Sequence, residues 1–224
     1  MKNITHSLAR WTTTLALGAL VCGAAQASLV SQGPKPDGDL YVSADSTQNA
    51  ESFELDFAAS LSAFQWWGSD IDINRFTVRF YDNGLTTDGG FTTLTGSSAQ
   101  LTKDDSGEQG LCFVPGPGSV VPCDLQQYTL TLTTAISTMA NRAYFLAVYA
   151  DAELQWGWQE SAQGDGLSYF RGGDTEPWSQ PGLPPDLSLA VIGDRIVTPV
   201  PEPASLALAA LALAGAGALR RRSA

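Results

Sequence analysis

Residues 128–133 read Tyr-Thr-Leu-Thr-Leu-Thr, a strict alternation of apolar and polar side chains. Successive side chains of a β-strand point to opposite faces, so a period of two predicts a strand with one buried and one solvated face. The same alternation recurs at 53–57 (FELDF) and at 75–80 (RFTVRF). These three segments are therefore predicted to be amphipathic strands.

Two further segments are largely apolar on both parities, 143–150 (AYFLAVYA) and 187–192 (LSLAVI). Strands buried between two layers have this composition, because both of their faces are covered. Turn-forming clusters separate the segments, and no stretch of ten or more residues between them has the 3.6-residue period of a helix. The clusters are Asp82-Asn83-Gly84, Asp88-Gly89-Gly90, Pro115-Gly116-Pro117-Gly118 and Pro184-Pro185-Asp186. The pattern predicts an all-β fold, an antiparallel and jelly-roll-like β-sandwich.

Residues 1–27 have the composition of a secretory signal peptide. Two basic residues and no acidic one precede an apolar run at 15–25, which ends with small residues at Ala25 and Ala27 before Ser28. The run is too short to span a bilayer, and this order is typical of a signal that signal peptidase removes after passage through the secretory translocon. We predict cleavage after Ala27. A lipoprotein signal that uses Cys22 is the alternative.

Residues 198–224 contain three features in series: a proline-rich motif, sixteen uncharged residues at 204–219 and an arginine cluster. Sixteen helical residues cover about 24 Å, slightly less than a hydrocarbon core. The sequence predicts a single transmembrane helix whose arginines stop it on the cytoplasmic side, so that the preceding domain is exported. The motif comprises Val200, Pro201, Glu202 and Pro203, and the membrane stop comprises Arg220, Arg221 and Arg222.

This tail resembles the PEP-CTERM sorting signal of exported bacterial proteins. The resemblance implies that an exosortase, an integral membrane enzyme, recognises the proline motif and cuts near it, so that the helix holds the precursor in the inner membrane only transiently. It also implies a Gram-negative host, with a final location on the outer surface or in the exopolysaccharide matrix of a biofilm. A permanent membrane anchor that is merely preceded by prolines is the alternative.

Residues 28–197 remain between the two signals, the length of one ordinary domain. They include 22 acidic and 7 basic residues, and the whole chain has a net charge of −11. Such a surface repels phosphate backbones, which argues against a nucleic-acid partner, and it attracts divalent cations. Aromatic patterns at 64–68 and 156–161 also resemble exported β-sandwich domains that precede such tails, and this resemblance identifies no catalytic residue.

Cys112 and Cys123 are the two cysteines that remain after signal removal, eleven positions apart around a proline- and glycine-rich loop. In an exported protein such a pair is expected to form a disulfide. A free redox-active or metal-binding pair is the alternative. The single histidine, His6, lies in the signal peptide, so no histidine remains to complete a zinc site.

A mature chain without histidine has no Ser-His-Asp or Cys-His mechanism and no histidine-ligated metal. Carboxylate pairs remain, and Glu153 with either Asp151 or Glu160 is a candidate acid and base of a glycosidase. Acidic residues that alternate along an exposed strand are usually only solvated. We therefore predict a non-enzymatic protein, with a carboxylate-dependent carbohydrate-active enzyme as the alternative.

Three tryptophans are candidate glycan contacts, because planar indoles stack on sugar rings: Trp156, Trp158 and Trp178. Trp156 and Trp158 share a strand face, and their polar neighbours favour packing in the core as the alternative. Trp178 lies in a proline-flanked loop and is the better candidate for an exposed contact. The expected glycan partner is the exopolysaccharide.

Aspartates near turns offer the hard oxygen ligands of a structural calcium ion, although none completes a twelve-residue calcium loop. The candidates are Asp37, Asp39, Asp70, Asp72 and Asp82. No other cofactor is expected. Taken together, the sequence predicts an exported, non-enzymatic protein of the cell surface or matrix, with a structural or glycan-interacting role.

Overall fold

The computed structural model describes residues 27–82, 84–86, 90–94, 96–113, 120–151, 156–180 and 186–197. These residues form β-strands and two short 3₁₀ turns, Ile73–Arg75 and Gly96–Ser98. The strands are β1 Ser28–Gln32, β2 Leu40–Val42, β3 Gln48–Leu55, β4 Ala59–Gly68, β5 Phe76–Tyr81, β6 Phe91–Thr93, β7 Ala99–Phe113, β8 Val120–Thr138, β9 Arg142–Ala150, β10 Gly157–Gln159, β11 Ser168–Arg171 and β12 Leu189–Arg195.

Two antiparallel sheets face each other. In the seven-stranded sheet, β4 pairs with β8 along one edge, and β7 follows β8. Along its other edge β4 pairs with β12 and, at its last residue, with β10, while β1 and β2 lie outside these two strands. The five-stranded sheet has the order β11-β3-β9-β5-β6. The predicted all-β antiparallel sandwich is confirmed.

The core between the sheets consists largely of aromatic rings. Phe53 of β3 stacks on Tyr144 of β9 at 5.7 Å between ring centroids, and it meets Phe64 of the opposite sheet at 6.3 Å. Trp66 stacks on Tyr128 at 5.9 Å within the seven-stranded sheet. Each ring lies at an inward-facing position of its strand, since every second side chain of a strand points to the same face.

Strand β9 is buried on both faces, as its uninterrupted apolar sequence predicts. Leu146 and Val148 point into the core, whereas Phe145 and Ala147 join a second apolar cluster on the outer face of the five-stranded sheet. That outer face is covered by a loop, which includes Trp178. The sequence contained this double burial only as a run of apolar residues.

Strands β7 and β8 form a hairpin arm that continues past the end of β4. β8 pairs with β4 only as far as Gln126, while its pairing with β7 continues to Val120 opposite Phe113. The predicted disulfide joins Cys112 and Cys123 near the end of this arm, with their Cα atoms 5.7 Å apart. The disulfide prediction is confirmed.

Several predicted features lie outside the described residues. They are the signal peptide as far as residue 26, the helix at 204–219, the sorting motif at 200–203 and the arginines at 220–222. Within the described part of the chain, no helix has the length and hydropathy that a membrane span requires.

Replacing both Cys112 and Cys123 with serine is expected to lower the free energy of unfolding by about 3 kcal/mol, because the unfolded chain regains the freedom of the closed loop. Urea unfolding of the natural protein and the double variant measures the loss. Reduction of the natural protein should reproduce it and leave the double variant unchanged. An unchanged unfolding midpoint in the variant would contradict a stabilising role for the bond.

Candidate functional site

The two ends of the described chain lie side by side at one end of the sandwich, which we call the processing pole. Ser28 of β1 is paired with Ile192 of β12, and the Gly193 amide donates a hydrogen bond to the carbonyl of Ala27 at 3.5 Å. Because β1 begins at Ser28, the predicted signal cleavage after Ala27 leaves a mature chain whose first residue already belongs to a strand. The cleavage junction therefore lies directly beside the strand that leads into the tail.

The chain leaves the sandwich just after β12. Ile196 donates its amide to the carbonyl of Ala58 at 2.8 Å, and the guanidinium of Arg195 lies 4.7 Å from the ring centroid of Phe57. The next residue, Val197, is 75% exposed. Pro201 lies five positions after Ile196, a reach of at most about 18 Å for a fully extended chain. An enzyme that cuts near the proline motif must therefore work close to the folded domain.

The processing pole also carries exposed apolar side chains. Ile196 and Val197 are exposed on the outgoing chain, and Met139 is exposed in the turn between β8 and β9. That turn lies at the same end of the sandwich, because Thr138 at the end of β8 pairs with Ala59 of β4, which pairs with Arg195 of β12. Three large apolar side chains thus remain in solvent near the start of the tail.

Trp156 and Trp158, two of the candidate glycan contacts, lie in the core with exposures of 1% and 0%. Trp156 packs edge-on against Phe76 at 4.8 Å, and the indole nitrogen of Trp158 donates to the carbonyl of Ser188 at 2.9 Å. Their ring faces are covered by protein and offer no platform for a sugar. Packing in the core, the alternative for this pair, is what the structure shows.

Trp178, predicted as an exposed contact, is half-buried and packs against its neighbours. The guanidinium of Arg171 lies over its ring at 4.5 Å, and Tyr81 meets it edge-on at 6.0 Å. Reciprocal backbone hydrogen bonds between Phe170 and Ser179 close the loop that carries it. One face of the indole is therefore covered, and its main contact is with the outer face of the five-stranded sheet.

Asp174 organises the polar part of that loop. Both terminal nitrogens of the Arg79 guanidinium, Nη1 and Nη2, donate to its carboxylate, and the buried Arg171 donates a further hydrogen bond at 2.8 Å. Gln48 donates to the same carboxylate at 3.0 Å. The hydrogen bonds from Arg79 lower the pKa of Asp174 to about 2, with help from Gln48 and from the charge of Arg171. Nothing in the local sequence marks this network, because its members come from three strands and a loop.

The candidate catalytic carboxylates do not form an acid and base pair among the described residues. Glu160 accepts hydrogen bonds from the Lys35 ammonium at 2.6 Å and from the Asp39 amide at 3.1 Å. Asp151 forms an ion pair with Arg75 at 2.6 Å. Glu153 lies outside the described residues. Glu160 and Asp151 thus each have a basic partner, as expected of carboxylates with a structural role.

The five aspartates predicted as calcium candidates are dispersed. Asp70 forms an ion pair with Lys103 at 2.6 Å, and Asp72 accepts hydrogen bonds from Asn74 at the start of a 3₁₀ turn. Asp37 and Asp39 lie in the turn before β2, and Asp82 is exposed after β5. No three of them converge within the described chain on one metal-sized space.

A different carboxylate group is brought together by the fold: Glu51, Asp165 and Asp186. Burial raises the pKa of Glu51 well above its usual range, and the charges of the two aspartates raise it further. A hydrogen bond from the Leu187 amide acts in the opposite direction and lowers it. Sequence reasoning missed this group. The available signal was that Glu51 has the parity of Phe53, so that a charge stands at an inward-facing position of a strand.

A groove runs along the side of the sandwich between β7 and the Ile73–Arg75 turn, with a cavity of about 420 Å³. Its floor is apolar, with contributions from Phe76 and Leu130, and its rim carries Asn74 and Gln100. An adjoining cavity shares Ile73 and adds the Asp70, Asp72 and Lys103 side chains. Apolar floors with a few polar groups are common features of ligand sites.

Comparison with protein families matches residues 199–222 to the PEP-CTERM protein-sorting motif. The chain thus carries the sorting signal that its tail resembles, and the motif implies an exported protein sorted through the membrane with exosortase as its processing partner. The match covers the tail and leaves the sandwich domain unassigned. No curated protein and no solved structure matches the chain significantly.

Replacing Asp174 with asparagine is expected to lower the free energy of unfolding by about 1 kcal/mol at neutral pH, a value reduced for solvent screening of this partly exposed group. The carboxylate has a lower pKa in the folded than in the unfolded state, so its stabilisation is present above pH 4 to 5 and is lost as the pH falls toward 2. Urea unfolding between pH 3 and pH 7 should therefore show the two proteins converging in acid. Asp104→Asn, at an exposed position of β7, is the matched control and should show no such convergence.

Proposed function

We propose that this chain is a non-enzymatic component of the cell surface or of the exopolysaccharide matrix of a Gram-negative bacterium, to which exosortase delivers it. The observation that carries the proposal is the sorting motif at 199–222, which begins four residues after Arg195 ends the last strand of the sandwich. The tail then serves as a sorting signal that is removed, and the sandwich is the part that remains in the matrix.

The geometry of the processing pole supports this order of events. Both chain ends emerge at one end of the sandwich, so the domain can fold outside the membrane while the tail still holds it there. The exposed Met139, Ile196 and Val197 then face the membrane side of the precursor, where apolar surface is tolerated. The opposite end of the sandwich is left free for partners in the matrix.

A structural rather than catalytic role is supported by the partners of the carboxylates. Glu160 is held by Lys35, and Asp151 by Arg75, so that each serves to join separate parts of the chain. A disulfide in the longest hairpin and a core of stacked rings also make the domain rigid. These are the properties of a durable extracellular module.

Contact with glycan is a second candidate function, and the groove beside β7 favours it. The floor residue Phe76 is part of the core, whereas Gln100 is exposed on the rim and offers both a donor and an acceptor to sugar hydroxyls. The neighbouring Lys103 and Asp70 extend the polar rim. The groove therefore replaces the buried tryptophans as the proposed place of glycan contact.

The sorting proposal predicts the ends of the mature protein. Intact mass and terminal sequencing of protein from the host envelope and culture supernatant should show a chain that begins at Ser28 and ends near Pro201–Pro203. Replacing Glu202 and Pro203 with alanine should abolish processing, because the motif that the enzyme recognises is lost, and should leave a membrane-bound form that retains Arg220–Arg222.

The chain offers a matched control for this variant in Glu176 and Pro177, the same dipeptide in an exposed loop of the domain. Alanine at those two positions should leave processing intact. If the natural protein in the envelope still carries its arginines, the tail is a permanent anchor and the sorting proposal fails.

The groove proposal predicts that the protein binds the host exopolysaccharide and that a Gln100→Ala, Lys103→Ala variant binds it at least about fivefold more weakly, because each side chain supplies hydrogen bonds to the ligand. Co-sedimentation with the purified polysaccharide measures the affinity. Gln109→Ala, also exposed on β7 but outside the groove, is the control and should bind normally.

Two results would count against this reading. Equal binding by the groove variant and the Gln109→Ala control would place the contact elsewhere. Release of new reducing ends from the polysaccharide, lost in a Glu160→Gln variant, would overturn the non-enzymatic proposal in favour of the glycosidase alternative.

A further inference from the structure

Three acidic side chains meet beside the exposed loop that connects β10 of the seven-stranded sheet to β11 of the five-stranded sheet. One carboxylate oxygen from each of Glu51, Asp165 and Asp186 lies within 4.8 Å of the others. Glu51 is fully buried in β3 of the five-stranded sheet, Asp186 is 7% exposed just before β12 of the seven-stranded sheet, and Asp165 is exposed in the loop. The group thus joins both sheets and a loop, nearer to the end of the sandwich opposite the processing pole.

The three carboxyl groups have no basic partner among the residues that the structure describes. Within the described chain, no lysine or arginine forms an ion pair with Glu51, Asp165 or Asp186. The Glu51 Oε2 atom accepts a hydrogen bond from the Leu187 amide at 2.7 Å, but its Oε1 atom is buried and accepts none. A buried carboxylate oxygen without a donor is unfavourable unless a cation or a proton occupies the space that it faces.

The backbone is shaped to hold these carboxylates in place. Gly166 and Leu167 donate their amides to Asp186 Oδ1 at 2.7 and 3.2 Å, and Leu167 also donates to Asp165 at 2.9 Å. Gly164, at a φ of +140°, lies so close to the Asp186 carboxylate that a side chain there would collide with it. The Gly-Asp-Gly loop therefore directs two aspartates toward the buried glutamate.

A fourth oxygen lies next to the group. Ser168 of β11 is paired directly opposite Glu51 of β3, so their side chains stand on the same face of the sheet, about 5 Å apart at Cβ. The Ser168 hydroxyl is buried, and no hydrogen-bond partner satisfies it within the described part of the chain. Two unsatisfied buried oxygens on neighbouring strands thus occur beside the two aspartates.

We infer that Glu51, Asp165 and Asp186 form a binding site for a divalent cation, Ca²⁺, which ties the two sheets together. The donor set consists of hard oxygens, the ligands that Ca²⁺ takes in proteins. Three carboxylates from distant parts of the chain suit the flexible coordination of Ca²⁺ better than the strict octahedral shell of Mg²⁺, which usually keeps several waters. The ion stabilises the folded state, because the unfolded chain does not bring the ligands together.

The test uses the protein purified from its host and stripped of metal with EGTA. Addition of 1 mM CaCl₂ at neutral pH should raise its Tm by about 5 °C, and titration calorimetry should show one site. Glu51→Gln keeps the shape of the side chain and removes its charge, so Ca²⁺ should bind on the order of tenfold more weakly or not at all. Asp165→Asn, in an exposed loop that tolerates substitution, should have the same effect if Glu51→Gln does not fold.

Glu54→Gln is the matched control, since Glu54 lies three residues along β3 and is exposed to solvent. This variant loses the same charge and should bind Ca²⁺ like the natural protein. A Tm that CaCl₂ does not change, an equal rise with 1 mM MgCl₂, or an equal loss of binding in Glu54→Gln would each overturn the inference. The first would assign the buried carboxyl group a proton, and the other two would reduce the effect to general charge screening.

Discussion

Aromatic rings pack between the two sheets, and this contact holds the sandwich together. Phe53, Phe64 and Tyr144 meet at the centre, and Trp66 with Tyr128 extends the layer along β4 and β8. Large rings bury much apolar area for each residue that must be ordered. Two sheets can therefore form a stable core from relatively few side chains. Because the sheets are held face to face, their outer faces, edges and ends are the surfaces left for function.

The topology of the seven-stranded sheet decides where the chain enters and leaves. β1 and β12 are antiparallel neighbours, so Ser28 and the residues that lead into the sorting motif share one end of the sandwich. The predicted signal cleavage and the sorting motif therefore concern the same end of the domain. The opposite end and the groove beside β7 are the surfaces at which the proposed function places contact with matrix components.

Charge is the second constraint on this domain. Most of its acidic residues lie on the surface, where water screens them, but a few are enclosed by the fold. Basic side chains balance two of the acidic residues: the partly exposed Asp174 pairs with Arg79 and Arg171, and the buried Glu160 pairs with Lys35. The carboxylates around Glu51 have backbone donors and no basic side chain among the described residues, and this difference separates a structural ion pair from a cation site.

The sequence by itself determined the fold class, the disulfide and the sorting tail, because each depends on local pattern: alternation at 75–80, two cysteines in an exported chain, and a proline motif followed by an apolar stretch and arginines in order. Only the tertiary structure covered β10 on both faces, and so made Trp158 part of the core. It alone brought Asp165 and Asp186 to Glu51, more than 110 positions away. Local periodicity specifies which side chains share a face, whereas register and sheet order, set by packing across the whole domain, specify which faces meet.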